Sequence, residues 1–213
     1  MVQKYIEWPL LLKNLNPKQP QDYRKFDIRQ WVLLTSVEPL QLYIYQSAYL
    51  RICGSSYSIH DYDEPLKHLS NYSIQKHNTD EEGLNFEYVM STDDFISKLN
   101  FEYPELPDSG KYTWKTHFHS QIKDITLKVF NQMAEVMENK QSSFELFGLD
   151  FVIDQKLKCW LIEANMSPAC AIRKGQEWLA HMTDDMADGM LNIVEEKILK
   201  NMLDSKVPYS GKL

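Results

Sequence analysis

The sequence has few cysteines and no apolar run long enough to cross a membrane. Its three cysteines, Cys53, Cys159 and Cys170, are odd in number and show neither paired nor metal-ligand spacing. This pattern argues against a disulfide framework and favours a reducing compartment. The sequence also shows no signal peptide and no internal repeats. We therefore predict a soluble intracellular protein.

An excess of positive charge is absent as well, because 23 basic residues stand against 30 acidic ones and the net charge is −7. A chain of this charge does not bind polyanions as a whole. An acidic partner would need a local basic patch, and the N-terminal third offers Lys4, Lys13, Lys18, Arg24, Lys25, Arg29 and Arg51. Most surface lysines are simply solvated, so this patch alone does not establish a binding function.

The composition supports a packed core, because 43% of the 213 residues are hydrophobic. The most informative stretch is 144–168, which holds two apolar runs at 146–153 and 159–164. Runs of this length, rich in Phe, Val, Ile and Trp, predict two buried strands joined by a tight hairpin.

A turn centred between residues 156 and 157 would place Asp154 opposite Cys159 and Asp150 opposite Glu163. Directly opposed residues have Cβ atoms about 4.5–5.5 Å apart, and two like charges there repel each other. The side-chain period of two puts Asn165 on the same face as Glu163. Two carboxylates and an amide oxygen would thus converge, and such an all-oxygen cluster suits Mg²⁺ better than zinc.

Acidic residues in strands are often simply exposed to solvent, and that is the alternative for Asp150 and Glu163. Both residues, however, interrupt runs that otherwise have the character of buried strands. A buried carboxylate needs a compensating partner. The pattern alone leaves open whether Asp150, Glu163 and Asn165 form a divalent metal site or the two acids are simply exposed.

Residues 25–36 give the clearest strand pattern of the N-terminal half. Their alternation predicts one apolar face and one charged face, the latter carrying Lys25, Asp27 and Arg29. Three alternating charges can equally form an ordinary solvated face, and the pattern alone leaves both interpretations open.

The remaining elements are predicted from shorter signals. They are a strand-like run at 1–7, a hairpin of residues 41–45 and 49–53, an irregular stretch at 77–116 of the kind that forms substrate lids, an amphipathic helix at 117–138, a final helix capped by Thr183, and a flexible tail at 204–213. Together these elements predict an α+β fold in which antiparallel hairpins are covered by two long helices.

Five motifs, taken together, resemble the tubulin-tyrosine-ligase-like family, whose fold is the ATP-grasp. They occur in family order at Gln3-Lys4-Tyr5-Ile6, 25–29 (KFDIR), 69–76 (LSNYSIQK), 147–151 (FGLDF) and 160–168 (WLIEANMSP). The stretches 29–31, 165–171 and 185–190 are similar to the tubulin glycylase branch in particular. The resemblance implies an ATP-grasp C-terminal lobe over residues 1–203.

The resemblance also implies a function. It is that of an ATP-dependent carboxylate–amine ligase, which would add glycine to glutamate side chains of acidic tubulin tails through an acyl phosphate. ATP and Mg²⁺ would be its cofactors, and tubulin in microtubules or axonemes would be its partner. Nucleic acid and membrane have no part in this function, and its place would be the cytoplasmic cytoskeleton or a cilium.

The residue roles that the resemblance implies fall into three groups. The nucleotide-binding group comprises the hinge residues Gln3, Lys4, Tyr5 and Ile6 together with Lys25 and Asp27. The catalytic group, which would reach phosphate oxygens or the substrate, comprises Arg29, Arg51 and Asn71. The group that would hold Mg²⁺ comprises Asp150, Glu163 and Asn165.

The sequence departs from the family pattern at its first residues, because it begins at the predicted hinge. We expect the N-terminal lobe of the ATP-grasp to be missing and ATP to bind weakly to the chain alone. Two alternative functions stay open. One is a glutamylase of the same family, and the other is a catalytically silent module that contacts tubulin.

Overall fold

The computed structural model describes residues 2–13, 22–75, 89–140, 143–170 and 176–204 of the chain. In chain order the strands are β1 (Leu12–Lys13), β2 (Tyr23–Arg24), β3 (Phe26–Val37), β4 (Leu40–Ile44), β5 (Tyr49–Ile52), β6 (Val89–Ser91), β7 (Glu145–Ile153) and β8 (Cys159–Met166). The helices are α1 (Pro65–His68), α2 (Tyr72–Gln75), α3 (Thr92–Glu102), α4 (Ser120–Ala134) and α5 (Glu177–Asp204).

The main sheet has the strand order β6-β5-β3-β7-β8, with β4 also paired to β3, and β1 pairs with β2 in a second sheet. The predicted α+β class is therefore confirmed. Residues 40–44 and 49–52 are strands as expected, but they do not form a hairpin with each other. Each pairs antiparallel with β3, at Val32↔Ile44 for β4 and at Phe26↔Ile52 for β5.

The chain divides into two compact units. The first comprises Met1–Gln30, Gln46–Thr126 and Leu149–Ala164, and the second comprises Trp31–Tyr45, Leu127–Gly148 and Asn165–Leu213. The core of the first unit is built on aromatic rings, since Phe95 lies 5.5 Å from Phe26 and 5.4 Å from Phe118 between ring centroids. Such pairs add stabilisation beyond the area that they bury.

The second unit has its own buried aromatic contacts. The rings of Phe130 and Phe147 meet edge to face at 5.0 Å, and those of Trp31 and Tyr45 lie 5.8 Å apart. The Tyr45 hydroxyl donates a hydrogen bond of 2.6 Å to Asp185 on α5. Burial, with this hydrogen bond, raises the pKa of Tyr45.

The region predicted as an irregular lid is largely structured where it is described. Residues 76–88 lie outside the described residues, but α3 follows them, and a π-helical turn at Trp114–His119 leads into α4. The side chain of Ser91 accepts a hydrogen bond from the Asp94 N–H and so caps α3. The lid prediction is therefore wrong for residues 89–102, where a capped helix follows a short strand.

The two long helices predicted from periodicity are present with shifted ends. The amphipathic helix ends at Ala134, and Val136, which was counted on its apolar face, is 87% exposed. The last helix begins at Glu177, so Thr183 lies inside it and is not its cap; its hydroxyl donates to the Leu179 carbonyl. The predicted tail lies outside the described residues except for Asp204, which ends α5.

The N-terminal residues, the cysteines and the membrane prediction can also be compared with the structure. Residues 2–7, predicted as a strand, are not in one, and the first ladder-like contact is an isolated bridge between Pro9 and Asp154. All three cysteines lie outside any disulfide. Among the described residues, no helix has the length and apolarity needed to cross a membrane.

Candidate functional site

Three residues, 155–157, form the turn between β7 and β8. The Leu157 N–H donates to the Asp154 carbonyl at 2.9 Å, and the Asp154 N–H donates to the Lys158 carbonyl at 3.0 Å. Leu157 has a φ of 61°, in the left-handed region, and the Asp154 carboxylate accepts bonds from the N–H groups of Lys156 and Lys158. Asp154 thus pairs with Lys158, and the predicted pairing with Cys159 is wrong by one residue.

The first unit encloses a cavity of about 720 Å³. Its walls bring together nine of the twelve candidate site residues, Gln3, Lys4, Tyr5, Ile6, Lys25, Asp27, Asn71, Asp150 and Glu163. The same walls carry apolar side chains, including Val152, Trp160 and Ile162. A cavity of this size with a few polar groups on apolar walls has the properties of a small-molecule site.

Asp150 lies at the centre of a charged network in this cavity wall. Its side chain is buried, and its two oxygens accept hydrogen bonds of 2.6 and 3.2 Å from Arg29. Arg51 reaches the same carboxylate at 2.9 Å. Two guanidinium groups therefore neutralise the carboxylate that the sequence predicted as a metal ligand.

Burial by itself would raise the pKa of the Asp150 carboxyl. The hydrogen bond from Arg29 and the charges of Arg51 and Arg29 outweigh that effect and hold its pKa below the usual range. The Glu163 carboxyl lies next to Asp150 and acts in the same direction on its pKa. The predicted neighbours Asp150 and Glu163 are thus adjacent, but their mutual repulsion is offset by two arginines.

Arg51 ties Asp150 to a second carboxylate. Its guanidinium donates two hydrogen bonds of 2.7 Å to Asp27, in the forked geometry typical of arginine. Burial would lower the pKa of Arg51, but the charges and hydrogen bonds of Asp27 and Asp150 raise it. The Ser70 hydroxyl also donates to Asp27. The charged face of β3 is therefore a buried network, and the solvated-face interpretation is wrong.

Lys25 forms the other polar part of the wall. Its ammonium donates hydrogen bonds of 3.0 Å to the Tyr5 hydroxyl and to the His68 carbonyl. Burial lowers the pKa of Lys25, and burial raises the pKa of the neighbouring Cys53 thiol to about 12. Sequence reasoning did not single out His68, whose Nδ1 lies 2.8 Å from the Tyr5 hydroxyl oxygen.

Three further candidates lie outside the ion pairs of Asp27, Arg29, Arg51 and Asp150. Glu163 is exposed and faces the cavity, and Asn71 lines it with its side chain half-buried. Asn165 belongs to the second unit, where its amide donates a hydrogen bond of 3.4 Å to the Gly148 carbonyl. Across the described ranges, no group of three or more His, Cys, Asp or Glu side chains is placed to hold a metal.

Trp160 is a lining residue that sequence reasoning missed. Its indole N–H donates a hydrogen bond of 2.8 Å to Asp154, and the Lys158 ammonium lies 4.0 Å above its ring. The signal was its alternation with Ile162 in the second apolar run, because residues two apart share a strand face. Both side chains keep 37% of their surface exposed, which leaves an apolar edge open to the cavity.

Comparison with known proteins adds a family to this geometry. The sequence profile described as "Tubulin-tyrosine ligase family" matches residues 1–202 of the chain. That match covers every residue of the cavity wall described above.

The most informative relatives carry glycylase names. Tubulin glycylase 3E of Tetrahymena thermophila is 38% identical over 198 residues, which are 91% of this chain and 13% of that protein. Tubulin glycylase 3F of the same organism is 33% identical over 91% of this chain and 20% of its own length. Human Tubulin monoglycylase TTLL3 is 33% identical over 80% of this chain and 21% of its own. The chain thus spans between 13% and 21% of these relatives.

Proposed function

Because the chain belongs to the tubulin-tyrosine ligase family, we propose that it is the nucleotide-binding part of an ATP-dependent tubulin glycylase. In this reaction the γ-phosphoryl group of ATP passes to a glutamate carboxylate of a tubulin tail. The amine of glycine then attacks the acyl phosphate, an amide bond forms and phosphate leaves. The cytoskeleton, in a cilium or axoneme, is the corresponding location.

The observation that carries this proposal is the charged network beside the cavity. Asp27, Asp150, Arg29 and Arg51 are locked together by hydrogen bonds of 2.6–3.2 Å. Preorganised charges of this kind stabilise charge that develops in a transition state without a cost of reorganisation at the moment of reaction. Phosphoryl transfer depends almost entirely on such positioning and electrostatic stabilisation.

The cavity fits a nucleotide in size and chemistry. Its volume of about 720 Å³ lies within the range of roughly 300–1,000 Å³ that small-molecule sites occupy. The apolar side chains of Ile6, Val152 and Ile162 suit a base, and the backbone of residues 3–6 offers polar groups to its edge. Lys25 presents a buried ammonium to phosphate groups.

The donor set also fits Mg²⁺, which in enzymes is commonly held by one or two carboxylates together with substrate phosphates. Asp150 and Glu163 are the two carboxylates here, whereas Asn165, which the family resemblance also implies as a ligand, belongs to the second unit. Mg²⁺ would neutralise phosphate oxygens when bound. Arg29 and Arg51 fix the orientation of Asp150, so its oxygens keep their position whether or not a ligand enters.

The experiment that tests this function is incorporation of labelled glycine into tubulin by residues 1–213 with ATP. We expect incorporation that needs ATP and is lost in Glu163→Gln, whereas His60→Asn, at an exposed position outside the cavity wall, keeps it. Labelled glutamate in place of glycine identifies a glutamylase. Binding to microtubules without incorporation of either amino acid would overturn the enzymatic proposal in favour of a silent module.

A further inference from the structure

His68 is a buried residue of α1 to which the proposed reaction assigns no role. Its side chain lies among the rings of Tyr5, Tyr57 and Tyr62, at centroid distances of 5.8, 5.4 and 6.1 Å. Tyr62 stacks on the imidazole, and the other two meet it edge to face. A histidine enclosed in this way has a fixed ring orientation, so its two nitrogens have fixed partners.

The partners of His68 determine its tautomer. Its Nε2 lies 2.9 Å from the Asp61 backbone carbonyl, which can only accept, so Nε2 carries the hydrogen. Its Nδ1 lies 2.8 Å from the Tyr5 hydroxyl. In the neutral ring Nδ1 has a lone pair, and therefore the Tyr5 O–H donates to it.

The hydroxyl of Tyr5 has a second neighbour, Tyr57, that could compete for its hydrogen. Tyr57 donates its own hydrogen to the Glu7 carbonyl at 2.8 Å, so its oxygen can also accept the Tyr5 hydrogen. The lone pair of Nδ1 on His68 needs a donor at 2.8 Å, and Tyr5 supplies it. The direction from Tyr5 to His68 holds for the neutral ring, with Nδ1 at 2.8 Å as the acceptor, and the experiments below test it.

The same chain of bonds extends to Lys25. Because the Tyr5 hydrogen is directed at His68, the Tyr5 oxygen turns its lone pairs outward and accepts from the Lys25 ammonium at 3.0 Å. The His68 backbone carbonyl accepts a second bond from the same ammonium, also at 3.0 Å. The ammonium also lies 4.5 Å from the centre of the Tyr5 ring, where it gains a cation–π attraction.

We infer that His68, as the neutral Nε2–H tautomer, is a positioning residue that holds Tyr5 and, through Tyr5, the Lys25 ammonium in the cavity wall. This inference rests on the proposed nucleotide site, because Tyr5 and Lys25 line it. In this role the imidazole acts through one acceptor atom, Nδ1, whereas a residue that merely filled the space among three tyrosines would act through its shape.

Four variants separate these two roles by calorimetric titration of residues 1–213 with ATP and Mg²⁺. Tyr5→Phe removes the donor, and His68→Leu removes the acceptor but keeps a bulky side chain. His68→Asn restores an acceptor, because its amide oxygen can take the place of Nδ1. His60→Asn is the matched control at an exposed histidine of the same segment.

We expect Tyr5→Phe and His68→Leu each to raise the dissociation constant about tenfold, and the double variant to lose no more than either one, because both break the same bond. His68→Asn should recover most of the affinity, and His60→Asn should match the parent chain. Equal weakening in His68→Asn and His68→Leu, additive losses in the double variant, or no loss in His68→Leu would each overturn the inference.

A nitrogen-detected NMR spectrum of the histidine rings gives a test that does not depend on ATP. We expect the signals lost in His68→Leu to be those of an Nε2–H tautomer, and the Nδ1 signal to move in Tyr5→Phe. A charged ring or an Nδ1–H tautomer at neutral pH would overturn the inference. If the parent chain binds no ATP, the proposed function fails, while these signals still decide whether His68 holds Tyr5.

Discussion

The first unit contains two buried aspartate–arginine clusters that differ in what lies beside them. In one, Asp22 accepts two bonds from Arg24, at 2.9 and 2.8 Å, and a third from Ser56 at 2.6 Å. Arg24 also donates to the carbonyls of Cys53 and Gly54. The charges of Asp22 and Arg24 thus pair with each other, and both side chains also hydrogen-bond to neutral groups of the protein.

The other cluster, built on Asp150, is equally buried but faces the cavity. It joins two carboxylates to Arg29 and Arg51, and its next neighbour is the exposed Glu163. Asp22 does not line the cavity, whereas Asp150 does. Burial and ion pairing alone therefore do not distinguish the two clusters, whereas the cavity beside Asp150 does, and it is the reason why we propose a functional role for that cluster.

The largest expected effect is on stability, from removal of either buried carboxylate. Asp150→Ala leaves two guanidinium groups buried without their common partner, and breaking such a pair costs about 3–5 kcal/mol. Asp22→Ala should fall at the lower end of that range, because Arg24 keeps two carbonyl acceptors. Urea unfolding of both variants measures the difference. A loss below about 1 kcal/mol in Asp150→Ala would show that the two arginines find other partners.

A smaller effect is expected where the charge stays but its geometry changes. Arg51→Lys keeps the positive charge but loses the fork that spans Asp27 and Asp150, and we expect a loss of about 1.5–3 kcal/mol. Arg24→Lys is the matched change in the closed cluster. Urea midpoints should fall in both variants, but affinity for ATP with Mg²⁺ should fall in Arg51→Lys alone. An equal loss of affinity in Arg24→Lys would contradict the distinction between the clusters.

The pH dependence of stability tests the charge of Asp150. Since its pKa is lowered in the folded protein, its contribution is fully present above the unfolded value of about 3.9. That contribution is lost as pH falls through the lower, folded pKa. The parent chain should therefore lose more stability on acidification below about pH 4 than Asp150→Asn does. Parallel pH profiles for the two would show that Asp150 is not held ionised by its arginines.

The smallest effect on stability is expected at Glu163, the open end of the same cluster. Glu163→Gln changes an exposed side chain, so the free energy of unfolding should shift by less than about 0.5 kcal/mol. Affinity for ATP with Mg²⁺ should nevertheless fall at least about tenfold. Denaturation and calorimetry on the same variant check both statements. A large loss of stability would identify Glu163 as a structural ion-pair partner instead.

Local pattern was sufficient to predict several features of this molecule. The apolar runs that flank Asp150 and Glu163 predicted the hairpin of β7 and β8. Both carboxyl groups lie at the cavity wall, although the turn from which their pairing was counted is shifted by one residue. The family resemblance is confirmed by the match over residues 1–202. These predictions succeeded because each depends on residues close in sequence or on a motif taken as a whole.

The partners of those carboxylates could not be predicted in the same way. Arg29 and Asp150 are 121 residues apart, and they meet because β3 and β7 are neighbours in the sheet, which periodicity does not specify. His68 lies directly before the motif at 69–76 and carried no signal of its own. The helix at 92–102 was missed although Ser91 and its following acids are a cap signal, because the polar stretch before it suggested one long loop.

The buried thiol of Cys53 has a practical consequence for the study of the cavity wall. With a pKa of about 12 and a side chain 1% exposed, it is protonated and shielded at neutral pH, so alkylating reagents reach it only when the wall opens. The rate of its alkylation would then report the free energy of that local opening. A ligand that binds beside Lys25 would slow the reaction, and the protection factor would give a measure of occupancy that requires no label and no substitution.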